Sequence, residues 1–479
     1  MYLILKNHLE EYAAREMITA HIPKIKIEVT DTIPENGDCV VSELTIKDSV
    51  YKYNAVLILD GKKYESSFVS ECEGKIFVKK TINEVFKSAL GIDLPWGLIT
   101  GIRPSKMVRE LSENGMTDEE IQNRFKNLYE CSSDKAELAM QVAKKEKALI
   151  STMPDNSISL YVGIPFCPTR CLYCSFTSQS IKFSNKLTEP YMDALSKEIA
   201  AVSEIIKSRG LAIDTVYVGG GTPTAISETQ IDRLLSEMNT NFDLSNVREF
   251  TFEAGRPDTI NEEKLKIIRD YGISRISINP QTMNQKTLDI IGRRHSPADI
   301  INTYEMAVKH GFGHINTDII AGLPEENESD FEHTLREIEK LNPQSVTVHT
   351  MSIKRGSFLD EKYSTYTPSA AKTVNNMLIS ASDAMERLGK SPYYMYRQKN
   401  MLGNLENVGY CDVNHECLYN IYIMEEVQSI IALGGGGSTK LVKDDMIERV
   451  FNVKEVSEYI NRIDEMIGRK KQLFEAFEF

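Results

Sequence analysis

The first 90 residues alternate between short apolar runs and turn residues. The runs IKIEVT, VVSELTI and YNAVLILD are β-branched or alternating, and NGD and DGK turns separate them, so they predict strands. From about residue 105 to residue 147, apolar residues recur at helical spacing. The segment STMPDNS (151–157) is rich in turn residues and marks a boundary. We therefore expect a strand-rich N-terminal domain at 1–90 and a helical connector at 91–150.

Residues 151–385 repeat a pattern of short apolar runs separated by longer amphipathic segments. The runs are SLYVGIP (159–165), DTVYVGG (214–220), EFTFEAG (249–255), SRISINP (274–280), HINTDIIAG (314–322) and QSVTVHT (344–350). Strand–helix alternation of this kind predicts a parallel sheet with crossover helices. Six such units are fewer than the eight of a complete barrel, so the pattern alone allows a partial barrel or a doubly wound sheet.

The alternation stops after about residue 385, and residues 386–479 predict a mainly helical C-terminal domain. The last helix repeats apolar residues on one face. The run GGGGS (434–438) resembles a flexible linker by composition. It is a single copy between IIAL and TKLV, so we favour a tight backbone turn inside folded structure.

Composition and charge exclude several classes of protein. The 479 residues are 41% apolar and 26% charged, as in globular proteins, and the length favours more than one domain. The net charge of −13 repels nucleic acid and acidic membranes, so neither is an expected partner. No apolar stretch is long enough to span a membrane, and MYLILKNHLEEY has too short an apolar core for a secretory signal. We expect a cytoplasmic protein with reduced thiols.

Three of the eight cysteines lie in one short loop. Cys167, Cys171 and Cys174 follow the first strand of the repeating unit with the spacing C-x3-C-x2-C. Thiolates select zinc or an iron–sulfur cluster, and structural zinc usually needs four ligands arranged as two pairs. Three cysteines on a four-iron cluster leave one iron open to another ligand. A zinc knuckle and three inert buried cysteines are the alternatives.

The segment 161–176 resembles the YxHxPFCxxxCxYCxF signature of the oxygen-independent coproporphyrinogen oxidase group of radical S-adenosylmethionine (SAM) enzymes. Residues 158–440 follow this HemN-like group. The stretches LPWGLITGIRPSK (94–106) and YRQKNMLGNLENVGY (396–410) are similar to its HemZ branch in particular. The resemblance implies an α/β fold with a partial (β/α)6 radical SAM barrel at 151–385 and a substrate-side or lid domain at 386–479. It also implies a [4Fe–4S] cluster on the three cysteines and SAM as cofactor.

The resemblance further implies a reaction. The open iron would bind SAM, and reductive cleavage would give a 5′-deoxyadenosyl radical that takes hydrogen from the β-carbon of a propionate. Two decarboxylations would convert coproporphyrinogen III to protoporphyrinogen IX in anaerobic haem biosynthesis. The protein would orient and shield this chemistry. A reduced flavodoxin or ferredoxin-type protein would donate the electrons.

The methionine side of the SAM site follows from the same resemblance. Gly220, Gly221 and Thr222 lie in GGGTPT, directly after the second strand, where glycines let backbone N–H groups approach a ligand. Glu253 ends the third strand and matches a SAM-contacting glutamate. A simple glycine turn and a solvated loop carboxylate are the alternatives.

The remaining cofactor residues are assigned in the same way. Gln281 and Asp318 match residues near the adenosyl ribose, and Arg293, in IGRRHS, matches the arginine on the SAM carboxylate, a group that a guanidinium binds in bidentate fashion. Tyr161 and Tyr173 match aromatic positions around cluster and SAM, and Tyr161 joins the three cysteines at the predicted catalytic centre. Core packing would explain either tyrosine equally well.

Two departures leave the reaction open. The signature histidine is Gly163 here, and Phe176 occupies the position of the fourth cysteine of the decarboxylase branch. In the second respect the sequence resembles the haem-chaperone branch. We favour coproporphyrinogen decarboxylation, with haem binding as a chaperone or haem modification by another radical SAM reaction as alternatives.

Two further groups of residues are weaker candidates. A substrate with four carboxylates would need basic partners, and plausible loops contain Lys354, Arg355, Arg397 and Lys399. A second metal site at Cys411, His415 and Cys417 has suitable ligand types. The resemblance instead places a substrate-side loop there, packed over the barrel mouth.

Overall fold

The computed structural model describes residues 1–34, 36–101, 103–176, 179–352, 357, 368–398, 401–444 and 446–477. Its first 90 residues form a mixed sheet with helices packed on one face. The elements are β1 (Tyr2–Lys6), α1 (Glu11–His21), β2 (Glu28–Val29), β3 (Cys39–Lys47), β4 (Val50–Leu59), β5 (Lys62–Ser70) and α2 (Lys75–Leu90). The strand order is β2-β1-β3-β4-β5, parallel across β1 and antiparallel in the hairpins β3–β4 and β4–β5.

The strand-rich N-terminal domain is confirmed, but α1 and α2 lie within a region that the pattern assigned to strands. In α1, Ala14, Met17 and Ile18 are buried at helical spacing. They pack against Leu3 and Val40 of the sheet, and this tertiary contact decides the local structure. The DGK turn is also confirmed, since Asp60 and Gly61 both have positive φ between β4 and β5.

The predicted helical connector consists of α3 (Pro104–Glu113), α4 (Asp118–Asn127) and α5 (Ser133–Ile150). Helix α4 begins with a capping box, in which the Thr117 side chain accepts from the backbone of Glu120 and the Glu120 carboxylate accepts from the backbone of Thr117. Ile121 and Phe125 of α4 are buried against the connector core.

The repeating region forms the parallel part of a larger sheet. Its elements are β6 (Ser157–Ile164), β7 (Phe166–Cys167), β8 (Gln179–Ser180), α6 (Ile181–Ser208), β9 (Ala212–Gly220), α7 (Glu228–Asn241), β10 (Glu249–Gly255), α8 (Glu262–Asp270), β11 (Arg275–Ile278), α9 (Gln285–Ile290), α10 (Pro297–Lys309), β12 (His314–Ala321), α11 (Glu328–Leu341) and β13 (Ser345–Thr350). Strands β6, β9, β10, β11, β12 and β13 are neighbours in chain order and all parallel. Each strand adds on the same side of the previous one, which gives a singly wound partial barrel and excludes the doubly wound alternative.

The C-terminal region contributes helices and also extends both edges of this sheet. Its elements are α12 (Pro368–Arg387), β14 (Ser391–Tyr396), β15 (Asn407–Cys411), α13 (Leu418–Glu425), β16 (Ser429–Leu433), β17 (Ser438–Lys443), β18 (Met446–Phe451), α14 (Val456–Asn461) and α15 (Ile463–Ala476). Strand β15 is antiparallel to β13 and β14, whereas β16 is parallel to β6. The GGGGS run forms the predicted turn, since residues 434–437 join β16 to antiparallel β17 and Gly434 and Gly436 have positive φ.

Side chains alternate between the two faces of the barrel strands. In β6, Leu160 and Val162 pack outward against helices such as α6, whereas Ser159 bonds inward to Thr215 of β9. The inner face is therefore polar, and it opens at the carboxyl ends of the strands. Among the helices of the described residues, none is long and apolar enough to cross a bilayer.

Candidate active site

A cavity of about 250 Å³ lies at the carboxyl ends of the barrel strands. Its wall combines the predicted site residues Cys167, Cys171, Tyr173, Cys174, Gly220, Gly221, Thr222, Glu253, Gln281, Arg293 and Asp318. These residues come from the segment after β6, from β9, β10 and β12, and from the loops after β9, β11 and α9. The fold therefore brings together residues that lie up to 151 positions apart in the chain.

The cysteine loop is fixed by hydrogen bonds to backbone carbonyls of the loop after α9. The Leu172 amide donates to the Ile291 carbonyl at 3.0 Å, and the Thr169 hydroxyl donates to the Gly292 carbonyl at 3.0 Å. Within the loop, the Cys174 amide donates to the Cys171 carbonyl at 3.1 Å. These bonds hold the loop over the barrel end without using the thiols.

The glycine motif packs directly behind the first cysteine. The Gly221 amide donates to the Ile164 carbonyl at 2.9 Å, and the Thr222 amide donates to the Phe166 carbonyl at 2.8 Å. A Cβ atom on Gly221 would lie 2.6 Å from the Phe166 oxygen and 3.0 Å from Cys167 Sγ. Only glycine therefore permits this approach, and the motif is more than a simple turn.

Glu253 is a half-buried carboxylate of the cavity wall. Its Oε1 atom accepts from the Tyr217 hydroxyl at 2.5 Å. Burial raises the pKa of Glu253 to about 7, and the nearby charge of Asp318 adds to this, while the bond from Tyr217 opposes it. A cationic group bound beside Glu253 would restore its charge.

Asp318 faces Glu253 across the cavity but stays ionised. Burial alone would raise its pKa, yet His349 and Asn316 hold the pKa of Asp318 below its ordinary value. Asn316 Nδ2 donates to Asp318 Oδ1 at 2.8 Å, and His349 Nε2 lies 3.7 Å from Asp318 Oδ2. The backbone amide of Gln281 donates to the Asp318 carbonyl at 2.9 Å, so Gln281 is held beside Asp318.

Arg293 supplies a buried positive charge to the cavity. One guanidinium nitrogen donates to the carbonyl oxygen of Asn279. The Nε atom is buried, and no residue that the structure describes accepts a hydrogen bond from it. An anionic group in the cavity would satisfy this donor, which suits the predicted binding of a carboxylate.

The two predicted tyrosines have different positions. Tyr173 lines the cavity. Tyr161 does not, and instead stacks inside the barrel on Tyr217 and Tyr419, with ring centroids 6.3 Å away in each case. Its predicted catalytic role is therefore not supported by a position on the cavity wall.

The wall also contains residues that were not predicted from sequence, among them Arg256, Asn279, His349, Tyr396 and Asn407. Arg256, Asn279 and His349 lie at or just after the ends of predicted strands, so the strand-end argument could have found them. Tyr396 and Asn407 belong to β14 and β15, which come from the region without a repeating pattern.

The proposed basic partner Arg397 has a structural role, which corrects the sequence-based expectation. It is 3% exposed, and its guanidinium donates to the carbonyls of Ile99 at 2.7 Å and Asn404 at 2.7 Å. The cation also lies 5.3 Å from the centre of the Trp96 ring. The other candidates, Lys354, Arg355 and Lys399, lie outside the described residues.

The residues of the possible second metal site have other partners. The Cys417 thiol donates to Glu249 Oε1 at 3.2 Å, and His415 packs edge-on against His314. Burial raises the pKa of Cys411 to about 12, which opposes thiolate formation. Cys411 pairs with Ser345 at the start of β13, so this loop lies at the amino end of the barrel and not over its mouth.

The donor set of the cysteine loop fits an iron–sulfur cluster better than a single ion. Within the described residues, no three Cys, His, Asp or Glu side chains are placed to hold one metal ion. Cysteines that bind a [4Fe–4S] cluster ligate different irons, so their sulfurs need not converge on one point. Cys167, Cys171 and Cys174 instead line one cavity together, and the glycine motif leaves room beside Cys167.

Comparison with known proteins agrees with this geometry. Residues 161–338 match the model of the radical SAM superfamily. The oxygen-independent coproporphyrinogen-III oxidase-like protein HemZ of Bacillus subtilis is 40% identical over 426 residues, which cover 86% of this chain and 85% of HemZ. The haem chaperone HemW of the same organism is 33% identical over 197 residues, or 41% of this chain and 51% of HemW.

A solved structure supports the fold. Coproporphyrinogen III oxidase (HemN) from Escherichia coli matches with a TM-score of 0.53 and 22% identity, covering 68% of this chain and 73% of HemN. The chain is a radical SAM protein, and proteins of this superfamily use a [4Fe–4S] cluster and SAM. Within the superfamily it belongs to the HemZ family of coproporphyrinogen-III oxidase-like proteins.

Proposed function

We propose that this chain oxidatively decarboxylates propionate side chains of coproporphyrinogen III and so forms protoporphyrinogen IX. The observation that carries this proposal is the convergence of the cysteine loop with Glu253, Arg293 and Asp318 on one cavity. The names of HemZ and HemN, which mention coproporphyrinogen oxidation, support the choice of substrate.

When bound, the cluster and SAM supply one-electron chemistry that removes a hydrogen atom from an unactivated C–H bond. Cys167, Cys171 and Cys174 would hold the cluster. The buried Arg293 would pair with the SAM carboxylate, while Glu253 would accept from its ammonium group. Asp318 and Gln281 would accept from the ribose hydroxyls. These contacts would orient the cofactor and exclude water from the reacting atoms.

The proposed reaction balances for each propionate. The β-carbon loses one hydrogen atom, which ends in 5′-deoxyadenosine, and the carboxylate leaves as carbon dioxide. One further electron leaves with the formation of the vinyl group and passes to a one-electron carrier of the ferredoxin or flavodoxin class. Two such reactions give the divinyl product, and each consumes one SAM and one electron from a low-potential reductant and releases one methionine.

Anaerobic turnover tests the proposal. The protein is reconstituted with iron and sulfide and supplied with a low-potential reductant, SAM, coproporphyrinogen III and a one-electron acceptor. We expect two molecules of 5′-deoxyadenosine for each molecule of divinyl porphyrin. Cys171→Ala should abolish both products, whereas Cys72→Ala, at an exposed cysteine of the N-terminal domain, should retain them. Cleavage of SAM by Cys171→Ala at the wild-type rate would reject the site.

A haem-binding chaperone function is the second candidate. Phe176 stands where the decarboxylase branch has its fourth cysteine, and this exposed side chain lines the cavity. The similarity to HemW supports the same alternative. Stoichiometric haem binding, with no vinyl porphyrin formed in the turnover assay, would favour this function over decarboxylation.

A further inference from the structure

Arg256 follows strand β10 directly and spans the first turn of the cysteine loop. Its Nε and Nη2 atoms donate to the two carboxylate oxygens of Asp258, at 2.9 and 2.8 Å. Its Nη1 atom donates to the Thr169 carbonyl at 3.0 Å and to the Thr169 hydroxyl at 2.9 Å. The same atom lies 3.9 Å from Cys171 Sγ. Arg256 is only 3% exposed, so solvent screens these charges weakly.

The surroundings of Arg256 are electropositive. Arg293, from the loop after α9, also interacts with Cys171. Burial lowers the pKa of His295 to about 4, and the charges of Arg293 and Arg256 contribute to this shift. Guanidinium groups from two different barrel loops thus act on the same thiol.

We propose that Arg256 and Asp258 form a positioning pair that holds the cysteine loop and sets the reduction potential of its cluster through Cys171. Groups that donate to ligating sulfurs tune iron–sulfur potentials, and partners behind the ligands fix their orientation. The inference does not depend on the substrate, because it concerns the cluster alone.

The sign of the effect follows from charge. Reduction adds one electron to the cluster, so a cation near a ligating sulfur favours the reduced form. Arg256 touches the sulfur directly, whereas Asp258 binds the Nε and Nη2 side of the guanidinium and weakens its field. Removing the charge of Arg256 should lower the reduction potential, and removing the charge of Asp258 should raise it. If the pair only held the loop in place, the two substitutions would not shift the reduction potential in opposite directions.

The test measures iron and sulfide content and the midpoint potential, by redox titration followed with electron paramagnetic resonance, in the reconstituted full-length protein. For Arg256→Met we expect the ratio of reduced to oxidised cluster, at the wild-type midpoint, to fall about tenfold, which is 59 mV for a one-electron couple. For Asp258→Asn we expect a smaller shift of opposite sign. Arg256→Lys keeps the charge and should retain a near wild-type potential with lower iron content.

Arg294→Met is the matched control, because Arg294 is an exposed arginine next to Arg293. It should change neither cluster content nor potential. Shifts of the same sign in Arg256→Met and Asp258→Asn, or less than a twofold change in the ratio for both, would overturn the proposal. If Arg256→Met fails to assemble a cluster, Asp258→Asn must still have a higher potential than Arg256→Lys, and equal values would reject the role.

Discussion

Asp318 is a half-buried carboxylate that keeps its charge because of its neighbours. His349 lies 3.7 Å from it on one side, and Asn316 donates to it at 2.8 Å on the other. On the far side of the imidazole, the Tyr396 hydroxyl lies 3.4 Å from His349 Nδ1. His349 is therefore placed to control whether Asp318 can accept the proposed hydrogen bond from a ribose hydroxyl.

We expect His349→Phe to make SAM binding more sensitive to acid. Without the imidazole, less opposes the effect of burial, so the pKa of Asp318 rises. The carboxylate of Asp318 is then protonated at a higher pH as the solution is acidified. The pH below which SAM affinity declines should therefore be higher than in wild type, with little change in affinity near pH 8. Calorimetric titration of SAM into the reconstituted protein between about pH 5 and pH 8 measures this.

His333→Phe, on helix α11 and away from the cavity, should leave that profile unchanged. If SAM affinity declined below the same pH in His349→Phe as in wild type, the histidine would not control Asp318.

Sequence reasoning identified those residues of the cavity wall that lie in recognisable motifs at or after the ends of strands. Cys167, Gly221 and Glu253 are examples, and each can be placed at a strand end without knowing the rest of the fold. Arg256 also follows a predicted strand directly, but its contact with the cysteine loop could not be predicted from the sequence. Its partner Thr169 lies in a loop whose position depends on backbone bonds to residues 291 and 292, more than a hundred residues further along the chain.

At the scale of elements, a buried network fixes the wall that β14 and β15 contribute. Glu406, just before β15, accepts from Trp96 Nε1 at 2.7 Å and from Lys135 Nζ at 2.6 Å. The Glu406 carbonyl accepts from the Thr350 hydroxyl at 2.6 Å, at the cavity end of β13. The two segments that resemble the HemZ branch thus meet in this network, because Trp96 comes from the first and Glu406 from the second.

We expect Lys135→Met to destabilise the protein by about 3 kcal/mol, because it leaves the buried carboxylate of Glu406 without its cationic partner. The double variant Lys135→Met with Glu406→Gln should recover part of this loss, since neither charge then remains buried. The free energy of unfolding, measured with denaturant for the single and double variants, gives the coupling.

Lys63→Met removes one partner of the exposed pair with Glu65 and should cost less than about 1 kcal/mol. If Lys135→Met were as mild as Lys63→Met, the buried network would not contribute to the stability of this wall.

The C-terminal strands show why element-level prediction was incomplete. Strand β16 is parallel to β6 although about 270 residues separate Ser429 from Ser159, and no local pattern encodes such a pairing. Its short apolar run is equally compatible with a buried helix segment. The parallel strands of the barrel were predictable because each is followed by its own amphipathic helix.

At the scale of the whole molecule, helix α13 connects the barrel with the helical connector. At its amino end, Glu249 of β10 accepts from the Leu418 amide at 2.6 Å, and Tyr419 stacks on Tyr217 inside the barrel. At its carboxyl end, Glu425 pairs with Arg109 of α3 at 2.8 Å. This short helix is therefore one of the links that hold the two parts together.

Glu146 of α5 makes this junction dependent on pH. It is 1% exposed, and burial, with the charge of Glu425 adding to it, raises the pKa of Glu146 well above its ordinary value. As the pH rises past the ordinary glutamate range, the unfolded chain releases this proton while the folded protein keeps it. The folded state then binds more protons than the unfolded state, so stability falls with rising pH until Glu146 also ionises in the folded protein.

Glu146→Gln removes this titration and keeps the shape of the side chain. Relative to wild type, its free energy of unfolding should therefore increase from about pH 5 to pH 8, by at most about 1.4 kcal/mol per pH unit. Denaturant unfolding at several pH values measures the difference, and Glu137→Gln, at an exposed position of the same helix, should show none. If the free energies of unfolding of wild type and Glu146→Gln depended on pH in the same way, Glu146 would not make the stability of this junction pH-dependent.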